Sequence, residues 1–292
     1  MINYSFPLYR PPAEADNVIL QATYGCSHNG CTFCSMYKTK KYQVREIGDL
    51  FKDIDTLARV YPDANKVFLG DGDALSLPTP YLIGVLQYLK RSFPKLSRVS
   101  VYATAQNVLE KSDDELRLLQ ENSLNLIYFG IETGNDELLK KINKGVSADQ
   151  IIGSLNKASA AKIKISATVI LGIGGEEYTR VHIKDTAAII NATTINYLST
   201  LQLGLEKGVK ERFLNYFDHF QMLNDYQILD EQKRFLELLH PANKVIFRSN
   251  HASNALHLAG TLPKDTTRLL YTLKSALAIG EGALIPNRFR GF

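Results

Sequence analysis

Cysteine, tryptophan and methionine are scarce in this sequence of 292 residues, which contains three Cys, three Met and no Trp. So few cysteines, in an odd number, exclude a fold that is held together by disulfide bonds. The same scarcity is typical of a reducing compartment, and we expect the protein to be cytoplasmic. The first residues show no basic region leading into an apolar core, which argues against a secretory signal.

An excess of one charge and long apolar runs are also lacking. The chain has 34 Lys and Arg against 30 Asp and Glu, and a net charge of +4 is too mild to indicate a nucleic-acid-binding protein. The longest apolar stretch, residues 165–173, has the length of a strand and is far shorter than the ~18 residues of a membrane span. We therefore expect neither a membrane nor a nucleic acid as partner.

Apolar, strand-like runs alternate with helical patterns through the first two hundred residues. Six such runs are predicted as strands, at residues 18–23, 67–69, 99–103, 126–131, 165–171 and 197–203. This alternation predicts a parallel α/β architecture with right-handed crossovers, and a doubly wound sheet and a barrel share the pattern. In either case the functional residues are expected in the loops that follow the carboxyl ends of the strands.

The alternation ends near residue 204, which divides the chain into a main domain, 1–204, and an extension, 205–292. Helical patterns predict that the extension is mostly helical and closes the main domain. A short apolar strand in it precedes a polar run at residues 248–254. We expect this run to bind substrate, and the alternative is a hydrogen-bonded turn. The candidate side chains are those of Arg248, Asn250, His251 and Asn254, with His251 as a proton donor or acceptor. Two further basic residues, Arg288 and Arg290, are expected to be exposed.

All three cysteines, Cys26, Cys31 and Cys34, fall within nine residues after the first predicted strand. Thiolates this close in sequence can surround one metal centre. Three thiolates bind three irons of a 4Fe–4S cluster and leave the fourth iron open to a non-protein ligand. One alternative is a zinc site with His28 as fourth ligand, although zinc sites usually join two separated ligand pairs. The other is three buried thiols.

The cysteine spacing, Cys-x4-Cys-x2-Cys, resembles the cluster motif of the radical S-adenosylmethionine (SAM) superfamily. The usual motif has three residues between the first two cysteines, where this chain has four. The aromatic Phe33 before the last cysteine matches the superfamily, and the resemblance implies that it lies against the adenine of SAM. Further motifs extend the resemblance over about residues 17–204. This core resembles that of members that include coproporphyrinogen dehydrogenases, methylthiotransferases and the cobalamin-binding group.

Three of these motifs follow predicted strands. Residues 70–75 resemble the Gly-Gly-Glu motif, which implies that Gly72 and Asp73 meet the amino group of SAM; an ordinary Asp-Gly turn is the alternative. Residues 130–145 are similar to the family's ribose-binding strand and following helix. The similarity places Glu132 at the ribose hydroxyls or the polar end of SAM, Thr133 beside it, and Lys144 at the SAM carboxylate. Residues 171–176 resemble the Gly-Phe-Pro-Gly-Glu loop, so Ile173 is expected on the adenine face.

The resemblance implies a partial (β/α)6 TIM-like barrel with an open side. It also implies a 4Fe–4S cluster that passes one electron to SAM, producing a 5'-deoxyadenosyl radical that takes hydrogen from an unidentified, small-molecule substrate. The electron donor would be a flavodoxin or ferredoxin. We expect Lys38, Lys40 and Lys41, just after the cysteines, to form a positive rim that docks such an acidic donor, with a solvated turn as the alternative.

Three other functions are compatible with the residues. A non-enzymatic iron–sulfur redox sensor or carrier would need the cluster but not the SAM-binding residues. A zinc-dependent binding module would use the cysteines for one ion. An RNA-modifying radical SAM enzyme is disfavoured by the mild charge and by the lack of a visible RNA-binding domain.

Overall fold

The computed structural model describes residue 2 and residues 4–291, and its main sheet has eight strands. Together with a separate two-stranded sheet, the strands are β1 Val18–Gln21, β2 Thr23–Tyr24, β3 Gln43–Val44, β4 Lys66–Gly70, β5 Arg98–Ala103, β6 Leu124–Glu132, β7 Lys164–Leu171, β8 Tyr197–Gln202, β9 Val245–Ser249 and β10 Leu258–Leu262. The main sheet has the order β1-β4-β5-β6-β7-β8-β9-β10. The pairs β1–β4, β4–β5, β5–β6, β7–β8 and β8–β9 are parallel, whereas β9–β10 and β2–β3 are antiparallel.

Helices connect most of these strands. The α-helices are α1 Ile47–Val60, α2 Thr79–Ser92, α3 Ala105–Glu110, α4 Asp113–Glu121, α5 Asp136–Lys141, α6 Ala148–Ala160, α7 Gly175–Asn191, α8 Lys207–Leu214, α9 Asp225–Leu238 and α10 Thr266–Ile279. Short 3-10 helices lie at Pro12–Glu14, Ala74–Ser76, Gly280–Ala283 and Asn287–Phe289. The six predicted strands correspond to β1, β4, β5, β6, β7 and β8, so the predicted α/β fold class is confirmed.

Burial explains why these segments form these elements. In β4 the consecutive side chains of Val67, Phe68 and Leu69 are all inaccessible to solvent, as expected for a parallel strand that is covered on both faces. In α1 the buried residues are Leu50, Ile54 and Leu57, which recur at the spacing of one helix face.

The chain divides into two compact units. The first unit runs to Asn29 and includes Met36–Phe129 and Asn156–Ile165. The second comprises Gly30–Ser35, Gly130–Leu155 and the chain from Ser166 onward. The first unit therefore contains β1, β4 and β5, and the second contains β8, β9 and β10. The functional boundary predicted near residue 204 stays a prediction.

The extension contains more sheet than its sequence pattern suggests. Besides α8, α9 and α10 it contributes β9, which pairs with β8, and β10, which pairs with β9. In β9, Val245, Phe247 and Ser249 are buried and alternate with more exposed neighbours, which is the pattern of a strand. The short strand predicted before the polar run is therefore part of the main sheet.

The C-terminal arginines differ from each other. Arg288 is exposed, as predicted, but the prediction for Arg290 is wrong, because its side chain is only 3% exposed. Arg290 forms two hydrogen bonds of 2.7 Å with the carboxylate of Asp225, at the start of α9. These bonds from Arg290 hold the pKa of Asp225 below its usual value. A partner so distant in sequence gives no local signal.

Within the described residues, the helices do not combine the length and the apolar character that crossing a membrane requires.

Candidate functional site

The three cysteines are thiols that are not joined in disulfide bonds, and each is partly exposed. Cys26 belongs to the first unit, and Cys31 and Cys34 belong to the second. Among the described residues, no three His, Cys, Asp or Glu side chains form a group suited to a single metal ion. In a 4Fe–4S cluster each thiolate binds a different iron, so the sulfur atoms need not converge on one point. Reduced, accessible thiols are what cluster assembly requires.

In the first unit, the loop after β4 packs directly against Cys26. The Gly72 amide donates a hydrogen bond of 2.9 Å to the carbonyl of Gly25. A Cβ atom at Gly72 would lie 2.6 Å from the Cβ atom of Cys26 and 2.9 Å from the ring of Tyr37. Only glycine fits at this position, because the cysteine loop occupies the space of a side chain.

Asp71, in the same loop, holds both ends of the segment that contains the cysteines. Its Oδ2 atom accepts hydrogen bonds from the Gly25 amide at 3.1 Å, from Gln21 Nε2 at 3.1 Å and from Lys40 Nζ at 2.8 Å. Gly25 precedes Cys26, and Lys40 follows Cys34. The buried ion pair between Lys40 and Asp71 was not predicted, because its partners are 31 residues apart and no local pattern links them.

Asp73 also binds the cysteine loop through hydrogen bonds. Its Oδ1 atom accepts the amide of Ser27 at 2.9 Å, and its Oδ2 atom accepts the Ser27 hydroxyl. Burial raises the pKa of Asp73, and the hydrogen bonds from Ser27 act in the opposite direction. Its side chain is inaccessible to solvent. Binding of the SAM amino group by Gly72 and Asp73 stays a prediction.

The predicted positive rim after the cysteines is wrong for Lys40. Its side chain is 6% exposed, and its Nζ atom also donates to the carbonyl of Ser5 at 2.7 Å. Lys38 is partly exposed and donates to the carbonyl of Asn29 at 2.6 Å, whereas Lys41 is exposed. An ammonium that is buried against Asp71 cannot present its charge to an electron donor.

In the second unit, Glu132 and Lys144 form an ion pair. Lys144 Nζ lies 2.9 Å from Glu132 Oε1, and each side chain is 11% exposed. Glu132, at the end of β6, has a φ angle of 61°, which is uncommon for a residue other than glycine. The pair folds over Gly130, where a Cβ atom would lie 2.0 Å from Glu132 Oε1. The structure thus brings together the two charged residues that the motif predicted.

Thr133, the next residue, contacts protein. Its Oγ1 atom lies 2.9 Å from Nδ1 of His182 in α7, and Thr133 is inaccessible to solvent. Asn135 binds the same helix, through a hydrogen bond of 2.7 Å from its Nδ2 atom to Asp185. Burial lowers the pKa of His182 to about 4, so its ring is neutral at pH 7. The helix-capping pattern of Asn135 was readable in the sequence, but its partners in α7 were not.

The segment that carries Cys31 is held by neighbours from two places in the chain. The amide of Thr32 donates to the carbonyl of Ile142 at 3.0 Å. Asn143 Nδ2 donates to the carbonyl of Gly30 at 3.0 Å, and Arg212, from α8, donates to the same carbonyl. Phe33, which was predicted to face adenine, is partly exposed. A residue of the extension therefore helps to place the cysteine segment.

The glycine-rich loop after β7 packs against α9. Gly172 has a φ angle of 77°, and a Cβ atom on it would lie 2.7 Å from Ile228 Cδ1. Its amide donates a hydrogen bond of 2.6 Å to Glu231 Oε1. The second oxygen of Glu231 accepts the hydroxyl of Thr179, and Glu231 is 1% exposed. Ile173 is inaccessible to solvent, and its predicted contact with adenine stays a prediction.

Glu231 predicts a pH dependence of stability. Burial raises its pKa from 4.5 to about 7, so the folded protein binds a proton that the unfolded chain releases between these values. The stabilising contribution is complete below pH 4.5 and is lost as the pH rises through about 7, on the order of 3 kcal/mol in total. Thermal unfolding at pH 5 to 8 should therefore show a fall in Tm for the wild type that Glu231→Gln lacks. Parallel pH curves for the two proteins would contradict the assignment.

The polar run after β9 divides into buried and exposed residues. Asn254 is 3% exposed, and its Nδ2 atom donates to the Thr200 carbonyl and to Ser249 Oγ, both at 2.8 Å. Its Oδ1 atom accepts the amide of Gln202 at 2.8 Å. These hydrogen bonds tie Asn254 to β8 and to the end of β9, and its role towards substrate stays a prediction. Two other predicted substrate ligands, Arg248 and Asn250, are exposed.

His251 has a defined tautomer. Its Nδ1 atom accepts the Ser253 amide at 3.1 Å, and lies 2.9 Å from the Ser253 hydroxyl. Because a backbone amide can only donate, Nδ1 carries no proton and the neutral ring carries its proton on Nε2. Burial lowers the pKa of His251. A neutral imidazole with Nε2–H is a hydrogen-bond donor, and its role towards substrate stays a prediction.

The structure combines a mostly parallel α/β sheet with three cysteines in the loop that follows its first strands. The family model for the radical SAM superfamily matches residues 20–188, and the chain belongs to this superfamily. The predicted family and its cofactors, a 4Fe–4S cluster and SAM, are thereby confirmed.

The chain is similar to parts of longer proteins. It is 28% identical over 142 residues to the heme chaperone HemW of Bacillus subtilis, covering 48% of this chain and 38% of the relative. It is 23% identical over 186 residues to a putative methylthiotransferase of Methanocaldococcus jannaschii, MJ0865, covering 58% and 39% of the two chains. The chain thus spans about two-fifths of the length of these curated relatives.

Solved structures support the fold. The radical SAM enzyme HemN, the coproporphyrinogen III oxidase of Escherichia coli, matches with a TM-score of 0.56 and 16% identity, over 76% of this chain and 51% of HemN. Methylornithine synthase, PylB, matches with a TM-score of 0.53 and 15% identity, over 76% of this chain and 62% of PylB. The predicted TIM-like partial barrel is the fold that these structures share.

Proposed function

We propose that the chain is a radical SAM enzyme that acts on a small-molecule substrate. When bound, the cluster and SAM supply a one-electron reduction that yields a 5'-deoxyadenosyl radical, which abstracts hydrogen from the substrate. The observation that carries the proposal is the packing of Gly72 on Cys26. Through this close contact, the loop after β4 supports the conformation of the cysteine loop. A protein that used its cysteines only as buried thiols would not need this fit.

Residues of the chain would have separate roles in binding the cluster, SAM and the substrate. Cys26, Cys31 and Cys34 would hold the cluster, since partly exposed thiols can bind its irons. The carboxylate of Glu132 would accept hydrogen bonds from the ribose hydroxyls, and the ammonium of Lys144 would pair with the SAM carboxylate. Their mutual ion pair keeps both groups in place before the ligand arrives. His251 would donate a hydrogen bond through Nε2–H to the substrate.

The deciding experiment is SAM cleavage by anaerobically purified protein. Iron and zinc are measured first, and the reconstituted, dithionite-reduced protein is then given SAM and assayed for 5'-deoxyadenosine. Formation of the nucleoside supports the proposal. Zinc near one per chain with little iron would overturn it, and a reducible cluster without SAM cleavage under several reductants would favour a redox carrier.

Lys144 gives a second, independent test. Lys144→Met is expected to raise the KM for SAM by about 10- to 100-fold, because a charge-assisted hydrogen bond contributes about 1.5–3 kcal/mol. The matched control is Lys140→Met, since Lys140 is exposed on α5. Steady-state kinetics on both variants checks the prediction. Equal KM values for Lys144→Met and the control would remove Lys144 from the SAM site.

A further inference from the structure

The loop of residues 172–175 rests on a part of the chain that lies beyond the family match at residues 20–188. The Gly172 amide binds Glu231, and the amide of Glu176, at the start of α7, donates to the carbonyl of Gln221 at 3.0 Å. Ile228 occupies the space beside Gly172. The extension therefore forms the outer support of this loop.

The helix that carries Glu231 is anchored to the main sheet. The neighbouring Gln232 is 2% exposed, and its Nε2 atom donates to Ser249 Oγ at 2.7 Å and to Thr200 Oγ1 at 3.2 Å. Thr200 lies in β8 and Ser249 ends β9, so Gln232 fastens α9 to the sheet. Ile228, Glu231 and Gln232 are spaced to share one face of α9. A carboxylate on a helix anchored in this way offers its oxygens in a fixed position.

We propose that Glu231 is the positioning residue through which the extension holds the nucleoside-binding loop in its binding conformation. The proposal rests on the proposed function, because it takes residues 172–175 as the loop that receives the adenosine part of SAM. Glu231 does not touch the reacting atoms. Its hydrogen bond from the Gly172 amide fixes the backbone on which the nucleoside would pack, and its bond from the Thr179 hydroxyl holds the carboxylate against α7.

Losing the acceptor for the Gly172 amide should cost much more than exchanging it for another acceptor. Removing the carboxylate leaves the Gly172 amide without its acceptor in a buried place, and an unsatisfied buried donor is more costly than the net gain of a typical hydrogen bond. The loop then gains freedom, and part of the binding energy of the nucleoside is spent on ordering it. Glu231→Gln keeps an oxygen that can accept the amide, so it should preserve the loop.

The test begins with amide hydrogen exchange in the cofactor-free protein. The Gly172 amide should exchange about tenfold faster in Glu231→Ala than in the wild type, and within about threefold of the wild type in Glu231→Gln. The matched control is Glu237→Ala, whose side chain is exposed on the same helix. If Glu231→Ala does not fold, Glu231→Leu replaces it, because leucine fills the space without offering an acceptor.

The second readout is the KM for SAM of the reconstituted enzyme. It should rise about tenfold in Glu231→Ala with a smaller change in kcat, and return to the wild-type value in Glu231→Gln. Wild-type exchange at Gly172 in both the alanine and leucine variants would overturn the proposal, as would an unchanged KM. If the wild type itself fails to cleave SAM, the proposed function fails, while the exchange of Gly172 still decides whether Glu231 holds the loop.

Discussion

Cys31→Ala is expected to abolish assembly of the 4Fe–4S cluster and to reduce the release of 5'-deoxyadenosine to the background of cluster-free protein. The chain contains only three cysteines, so no fourth thiol is available to replace the lost ligand. Two remaining thiolates would leave two irons of the cluster without protein ligands instead of one. Iron and acid-labile sulfide per chain, together with 5'-deoxyadenosine after reduction in the presence of SAM, measure the effect.

The matched control for Cys31→Ala is Thr39→Ala, which changes an exposed side chain shortly after the cysteines. This variant should keep the iron content and the activity of the wild type. Cys31→Ala should also fold, since Cys31 is partly exposed and its segment is held by backbone hydrogen bonds of Thr32 and Gly30. Full iron content and SAM cleavage in Cys31→Ala would show that this thiol is not a cluster ligand.

Gly72→Ala is expected to lower the iron content after reconstitution severalfold, although no ligand is removed. The new methyl group would lie 2.6 Å from the Cβ atom of Cys26, and 2.9 Å from the ring of Tyr37, so the cysteine loop has to move. Overpacking of this kind costs about 1–3 kcal/mol, and the displaced thiol loses its place in the cluster. Iron per chain and the Tm of the cluster-free protein measure the two effects.

The chain supplies a matched control in Gly48 of α1, where an added Cβ atom would meet no heavy atom of the described residues within 4 Å apart from its chain neighbours and the backbone of its own helix. Gly48→Ala should keep full iron content, and should leave the Tm unchanged or slightly higher, because alanine is a better helix former than glycine. A Gly72→Ala protein with the iron content of Gly48→Ala would mean that the loop after β4 does not position Cys26.

Local sequence patterns predicted the elements well, because each pattern acts over a few residues. The strands β4 and β6 are continuous apolar runs, and Ser112 with Glu115 forms the capping box that begins α4, as its spacing indicates. The cysteine triplet and the pair of Glu132 and Lys144 were likewise found from motifs that are short in sequence. In the structure these two charges form an ion pair that the motif did not predict, and their roles towards SAM stay predictions.

Long-range partners escaped prediction for a physical reason. The sequence predicts that Lys40 is one of several exposed lysines, but in the structure it is buried beside Asp71. It likewise predicts that Arg290 is exposed, but in the structure Arg290 pairs with Asp225. Similarly, Glu231 is an ordinary helical glutamate in the sequence. Its burial against Gly172 arises only when α9 packs on the loop after β7.

The sequence by itself determined the alternation of strands and helices, the family, and the candidate cluster ligands, because periodicity, capping and ligand spacing are local properties. Only the tertiary structure decided which charged groups are exposed and which are structural. Asp71 and Glu231 are held where distant elements meet, and Gly72 is required because Cys26 is folded against it. Burial and electrostatic environment depend on such contacts between remote segments, which no local pattern contains.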